Sequence, residues 1–122
     1  MYKDSIYICS MHSKELLKGT LTAIILKLLS ENNRMYGYEI SQIVKERTDE
    51  KVLLKDGSLY PALQKLTKDG LVTFEEEYIG KRVRKYYSLT PKGKIEKTAR
   101  LKELKDFIAT LNLLVFNETE FA

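Results

Sequence analysis

The sequence predicts a mainly α domain carrying a small β-hairpin. Three observations predict it. Apolar residues recur at helical spacing in three successive segments between residues 13 and 70. An alternating stretch, LVTFEEEYI (71–79), is followed by a turn and a second strand-like run, VRKYYSL (83–89). A last set of apolar residues, from Leu101 to Val115, repeats at alternating steps of three and four.

Ser13 is placed to cap the first helix, with Leu17, Leu21, Ile24 and Leu28 on one stripe and Ile25 and Leu29 widening it. So wide an apolar face implies burial on more than one side, and the helix is expected to end near Asn32–Asn33. A second helix is expected from about Tyr36 to Thr48, with Tyr36, Ile40, Ile43 and Val44 inward. VLL (52–54) reads as a short strand. The stretch DGSLYPALQKLTKDGLV (56–72) has helical spacing with a proline inside it. If Ser58 or a close neighbour is the N-cap, Pro61 falls in the first turn, where its missing N–H costs little. Leu59, Ala62, Leu63 and Leu66 then form the buried stripe. Pro61, Gln64, Lys65 and Lys68 lie opposite, Tyr60 sits at the border, and Gly70 stops the helix.

In the first strand Val72, Phe74 and Tyr78 share one face. Gly80-Lys81-Arg82 is expected to turn the chain, giving the hairpin a basic tip. Thr90-Pro91 reads as N-cap and first residue of the last helix. Its seam is Leu101, Leu104, Ile108, Leu111 and Val115, flanked by Phe107 and Leu114. Extended backwards, the repeat meets Lys97 and Lys94, so the seam covers only the second half of that helix.

Helix, helix, short strand, helix, hairpin is the order of a winged helix-turn-helix, here followed by a long C-terminal helix whose half-length apolar seam is expected to serve dimerisation. Residues 1–12 are expected to form an N-terminal extension, 13–90 the winged helix domain, and 91–122 the C-terminal helix and tail. In this architecture the third helix enters a DNA major groove and the hairpin tip lies along the backbone.

Charge placement points the same way. Residues 1–80 hold 11 Lys/Arg and 12 Asp/Glu, whereas residues 81–105 hold 10 Lys/Arg and two acids. Clustered positive charge favours a polyanion partner, although a solvated basic face would look the same. At 122 residues one domain is expected, and 43% hydrophobic content is enough to build a core. No apolar run approaches the ~18 residues of a membrane span. Residues 1–12 lack the pattern of a secretory signal, and Cys9 is the only cysteine. A cytoplasmic location fits, with no membrane partner.

No catalytic constellation is visible. The one histidine and one cysteine, His12 and Cys9, both lie in the first 12 residues, and two ligands do not define a zinc site. Glu75, Glu76 and Glu77 are consecutive strand residues, so they point to opposite faces and do not converge on a metal. No GxxxxGK[ST] or GxGxxG run is present, and no cofactor is implied.

Four stretches carry a resemblance: LLKGTLTAIILKLL (16–29), YGYEI (36–40), GSLYPALQKLTKDGLV (57–72) and RKYYSLTPKG (84–93). In this order, over about two thirds of the chain, the sequence resembles the PadR-like transcriptional regulators. The resemblance implies a homodimeric winged-helix repressor whose C-terminal helix contributes to dimerisation. With room for a single such helix, the chain looks like the family's short subgroup.

On this reading Gln64 suits base-edge hydrogen bonding, since an amide pairs with adenine N6 and N7. Lys65 and Lys68 are expected to bind phosphate more than to read bases, and Lys81, Arg82, Arg84 and Lys85 of the wing to make phosphate or minor-groove contacts. Ser58, Tyr60, Pro61, Tyr36 and Tyr38 complete the expected DNA face. Leu101, Leu104, Phe107, Ile108, Leu111 and Val115 are the expected dimer contacts. Two third helices would face successive major grooves of a pseudo-palindromic operator. The apolar surface bearing Phe107 and Phe116 is compatible with a small apolar or aromatic effector between subunits. The rival reading is a winged-helix adaptor between proteins, without DNA binding.

Overall fold

The computed structural model describes Leu17 and residues 19–116; the expected Ser13 cap and the 1–12 extension lie outside them. Helix α1 spans Leu21–Glu31 and buries Ala23, Ile25, Leu26, Leu28 and Leu29. These positions leave only a narrow polar edge, so α1 packs on several sides, against the third helix, the hairpin and the C-terminal helix. Asn32 turns to extended backbone and its amide side chain donates to the Leu28 carbonyl at 2.9 Å, ending the helix.

Helix α2 spans Gly37–Arg47 and turns Ile40 and Val44 into the core. The Tyr36 N–H, at its N-cap, donates to the Glu39 carboxylate at 3.1 Å. Arg47 reaches back to Glu31 at 2.8 Å. Residues 52–54 form no regular element, in place of the expected short strand. Met35, before α2, pairs with Tyr87 of the hairpin through two backbone hydrogen bonds of 2.9 and 2.8 Å. Val52 serves as a core side chain, its amide donating to the Thr48 hydroxyl.

Helix α3 spans Asp56–Lys68, with Lys55 at the N-cap. Ser58 is therefore the third helical residue and not the cap. Its N–H, like that of Leu59, donates to the Lys55 carbonyl, at 3.0 and 2.9 Å. Pro61 lies inside the helix, in the second turn. Its missing N–H removes a bond to the carbonyl of Gly57, an exposed residue where water can substitute. Leu59, Leu63 and Leu66 are buried as the spacing requires.

Strands β1 (Val72–Ile79) and β2 (Arg82–Leu89) pair antiparallel, Val72 opposite Leu89 and Ile79 opposite Arg82. The turn is the two residues Gly80 and Lys81, so Arg82 already belongs to β2. Helix α4 spans Pro91–Val115. Thr90 caps it as expected: its hydroxyl oxygen accepts from the Gly93 N–H at 3.0 Å. The core is built by Ile25 and Leu26 of α1, Met35 of the connection, Ile40 of α2, and Leu59 and Leu63 of α3. The second half of α4 runs past this core. Leu101 and Leu104 are half-buried, whereas Phe107, Ile108, Leu113 and Leu114 are exposed.

Candidate nucleic-acid interface

Helix α3, the start of α2 and the hairpin enclose an open groove of about 760 Å³. Tyr60, Gln64 and Asp56 line one wall, all on the i, i+4 row of α3. Arg82, Val83 and Lys85 of β2 and Ile79 of β1 line the other. Tyr36, Gly37 and Tyr38 form its end. Gln64 is exposed. Lys81 and Arg82 are exposed at the hairpin tip and meet no carboxylate at ion-pair distance among the described residues. Lys65 is paired with Asp69 at 3.3 Å, but both are well exposed, so water and salt weaken the pair.

The other basic residues of the hairpin are engaged. The Arg84 guanidinium lies 3.9 Å from the Tyr36 ring centroid and donates to the Tyr86 hydroxyl at 3.2 Å. Tyr36 and Tyr86 meet edge to face, centroids 5.5 Å apart. Arg34 covers the other ring, 4.1 Å from the Tyr86 centroid, and pairs with Glu77 of β1. The Tyr86 hydroxyl beside Arg84, and the Glu77 carboxylate beside Arg34, hold both guanidinium groups above their ordinary pKa and so firmly charged. Lys85 rests its ammonium 4.6 Å from the Phe74 ring.

The sequence profile of the Transcriptional regulator PadR-like family matches residues 25–99. This chain belongs to the PadR-like family of transcriptional regulators. Members of the family are regulators and not enzymes, and so is this chain. An uncharacterized protein of Lysinibacillus sphaericus is 36% identical over 106 residues, covering 79% of this chain and 94% of that one. The negative transcriptional regulator PadR of Bacillus subtilis is 37% identical over 73 residues, 59% of this chain and 40% of its own length. Among solved structures, a transcriptional regulator from Clostridium thermocellum superposes with a TM-score of 0.78 at 31% identity, covering 84% of this chain and 99% of that one. Bacillus subtilis PadR, solved in complex with operator DNA, superposes with a TM-score of 0.61 at 35% identity, over 67% of this chain and 45% of its own.

Within this PadR-like fold the expected site residues divide into groups. Tyr36, Tyr38, Tyr60, Gln64, Arg82, Arg84 and Lys85 come together around the groove. Pro61, Lys65 and Lys68 lie on the exposed surface of α3, and Ser58 is half-buried. Lys81 stands at the hairpin turn. Gly37, Asp56, Glu76, Ile79, Val83 and Tyr87 line the groove without having been expected there. Arg34, also not expected, stands behind it against the Tyr86 ring. Arg34 is 43 residues from its partner Glu77, so no local spacing could flag it. Asp56 is visible once α3 is known to begin there and not at Ser58.

The α4 seam presents a second surface. Ile108 is 51% exposed and Phe107 57% exposed, and Leu111 and Val115 are exposed with them. On the same helix, Oδ1 of Asn112 is shielded from solvent and meets no donor among the described residues. Among these residues no group of His, Cys, Asp and Glu is arranged to hold a metal, and no helix is long and apolar enough to cross a membrane.

Proposed function

We propose that this chain is a cytoplasmic, homodimeric repressor that binds a pseudo-palindromic DNA operator sequence-specifically. The observation that carries the reading is the groove: Gln64 of α3 on one wall faces Arg82 and Lys85 of the hairpin on the other, beside the basic tip. A backbone-binding wing next to a helix bearing an amide is a combination that anchors phosphates and reads base edges. The likeness to Bacillus subtilis PadR, a negative regulator solved with operator DNA, supports both the DNA partner and repression.

Dimerisation is supported by the exposed α4 seam. A row of large apolar side chains on an unpartnered helix is unfavourable in water and is relieved by pairing with a second copy. A small apolar or aromatic ligand held between the subunits near Phe107 and Phe116 would release the operator. It would do so only by its differential affinity for the two dimer geometries.

The test is selection of duplexes from a random-sequence pool, followed by fluorescence anisotropy across a salt series and sedimentation analysis of the free protein. A dimer that enriches a two-fold-related motif and prefers it about 10³-fold or more over random DNA supports the reading. Failure to enrich any motif, with no salt-dependent retention on heparin, would overturn it in favour of a protein–protein adaptor.

A further inference from the structure

The side chains of Arg34, Tyr86, Tyr36 and Arg84 form a continuous stack between the hairpin and the start of α2. Each cation lies over a ring face, at 4.1 Å for Arg34 and 3.9 Å for Arg84, and the two rings meet edge to face. The members come from three places: the connection after α1 (Arg34), the N-cap of α2 (Tyr36), and β2 (Arg84, Tyr86). Glu77 of β1 closes the end of the stack by pairing with Arg34. Next to the stack, Gly37, the residue after Tyr36, lies against the hydroxyl end of the Tyr60 ring of α3.

We propose that Arg34 and Arg84 are positioning residues for DNA binding, which fix the wing at a set distance from α3 and do not themselves anchor phosphates. The proposal rests on the DNA-binding reading above. The stack needs such a role because little else ties the outer hairpin to the domain. Burial in β1 and β2 is concentrated at Val72 and Tyr87, near the base, while Tyr78, Ile79 and Val83 are exposed. A hairpin held only at its base would swing, and the groove between Gln64 and Arg82 would have no fixed width. The arginines suit the task chemically. A planar guanidinium stacks on an aromatic face while its edge still donates, as Arg84 does to the Tyr86 hydroxyl. Both cations are thereby occupied on their faces by rings of their own chain.

Positioning and anchoring leave different signatures. The probe is a duplex selected by the wild-type chain from a random pool, with affinity measured across a salt series. Arg34→Met and Arg84→Met are each expected to weaken binding about tenfold, through poorer ordering of the free protein, while the slope of log K against log salt stays at the wild-type value. The double variant is expected to lose less than the product of the two, since both act through one stack. Tyr86→Phe, which keeps both ring contacts, should bind close to wild type, whereas Tyr86→Leu should resemble Arg34→Met. A slope reduced by about 2 per dimer in either arginine variant would make that residue a phosphate anchor and overturn the proposal for it. Unchanged affinity in both would overturn it outright. Should Arg34→Met fail to fold, Arg34→Lys makes the same comparison, keeping the charge and losing the planar stack. If the wild-type chain selects no duplex, it is the proposed function that fails. The stack is then judged in the free protein by amide exchange over residues 82–89: faster exchange in Arg34→Met supports the hold on the wing, and unchanged exchange overturns it.

Discussion

The ring of Tyr60 lies so close over Gly37 that a β-carbon at residue 37 would sit 2.7 Å from its Cε1 atom. Through this contact the start of α2 sets the position of a side chain on the exposed side of α3. Gly93 makes a tighter approach, where a β-carbon would meet the Leu71 carbonyl oxygen at 1.9 Å. The two differ in what can yield. Tyr60 is half-exposed and can rotate aside, but Leu71 is backbone whose neighbours hold both the α3–β1 connection and the Thr90 cap. Gly93→Ala is therefore expected to destabilise the fold by about 3 kcal/mol or more, and Gly37→Ala by about 1 kcal/mol. Thermal unfolding followed by circular dichroism measures both. Equal losses would show that the Tyr60 contact is as rigid as backbone.

The proposed reading and anchoring roles on DNA would be separable by mutation. Gln64→Ala is expected to cost about 1–3 kcal/mol on the selected duplex and to relax preference at one base position, with little effect on random DNA. Lys81→Ala or Arg82→Ala should weaken both DNAs alike. On the proposed roles each substitution would take one phosphate anchor from each subunit of the proposed dimer, two in all, and the salt slope should fall by about 2. Anisotropy on both duplexes distinguishes these outcomes. Equal weakening of both DNAs by Gln64→Ala, with the slope intact in the wing variants, would reverse the assigned roles.

The α4 seam makes a prediction about assembly. Ile108→Asp places a carboxylate in the proposed interface, where an unpaired buried charge costs several kcal/mol. Analytical ultracentrifugation should find monomer, with the helical spectrum of the winged domain retained because Ile108 is half-exposed in the single chain. A dimer of unchanged affinity would place the interface elsewhere.

A pH prediction follows from Tyr87, which is 5% exposed at the base of the hairpin. Burial pushes its phenol above the ordinary tyrosine value, and the nearby Tyr60 adds to this. A neutral phenol is thus favoured in the folded chain. The resulting contribution is fully present below the unfolded-state value of about 10 and is lost as pH rises through the raised folded value. Unfolding at a series of alkaline pH values should show stability falling more steeply in wild type than in Tyr87→Phe. Absorbance near 295 nm should show one late-titrating tyrosine that the variant lacks. Indistinguishable alkaline profiles would mean that Tyr87 ionises as if exposed.

Much of the architecture is legible in the sequence. The stripes of α1, α2 and α3, the hairpin and the Thr90-Pro91 start of α4 depend on periodicity and capping. Both are interactions among residues a few positions apart, so they are written in local order. Where sequence and structure differ, a distant partner or a neighbouring cap decides. Residues 52–54 have strand-like composition, yet the Val52 amide donates to the Thr48 hydroxyl, and a segment without a ladder partner is only a connection. Proline's preference for first turns puts Pro61 at the start of α3, but Lys55 already begins the hydrogen bonding.

The basic run shows the division most clearly. Composition reveals ten cations between residues 81 and 105, and composition treats them as equals. Folding does not: Arg84 is stacked on Tyr36, Arg100 and Lys102 are paired along α4, and Lys81 and Arg82 stand free of carboxylates among the described residues. Arg34, outside the run altogether, joins the same stack through Tyr86 and Glu77. Helical and strand spacing is a property of neighbouring residues and survives in one dimension. Which cation finds a ring, a carboxylate or only water depends on groups tens of residues away, and their distances exist only once the chain has closed on itself.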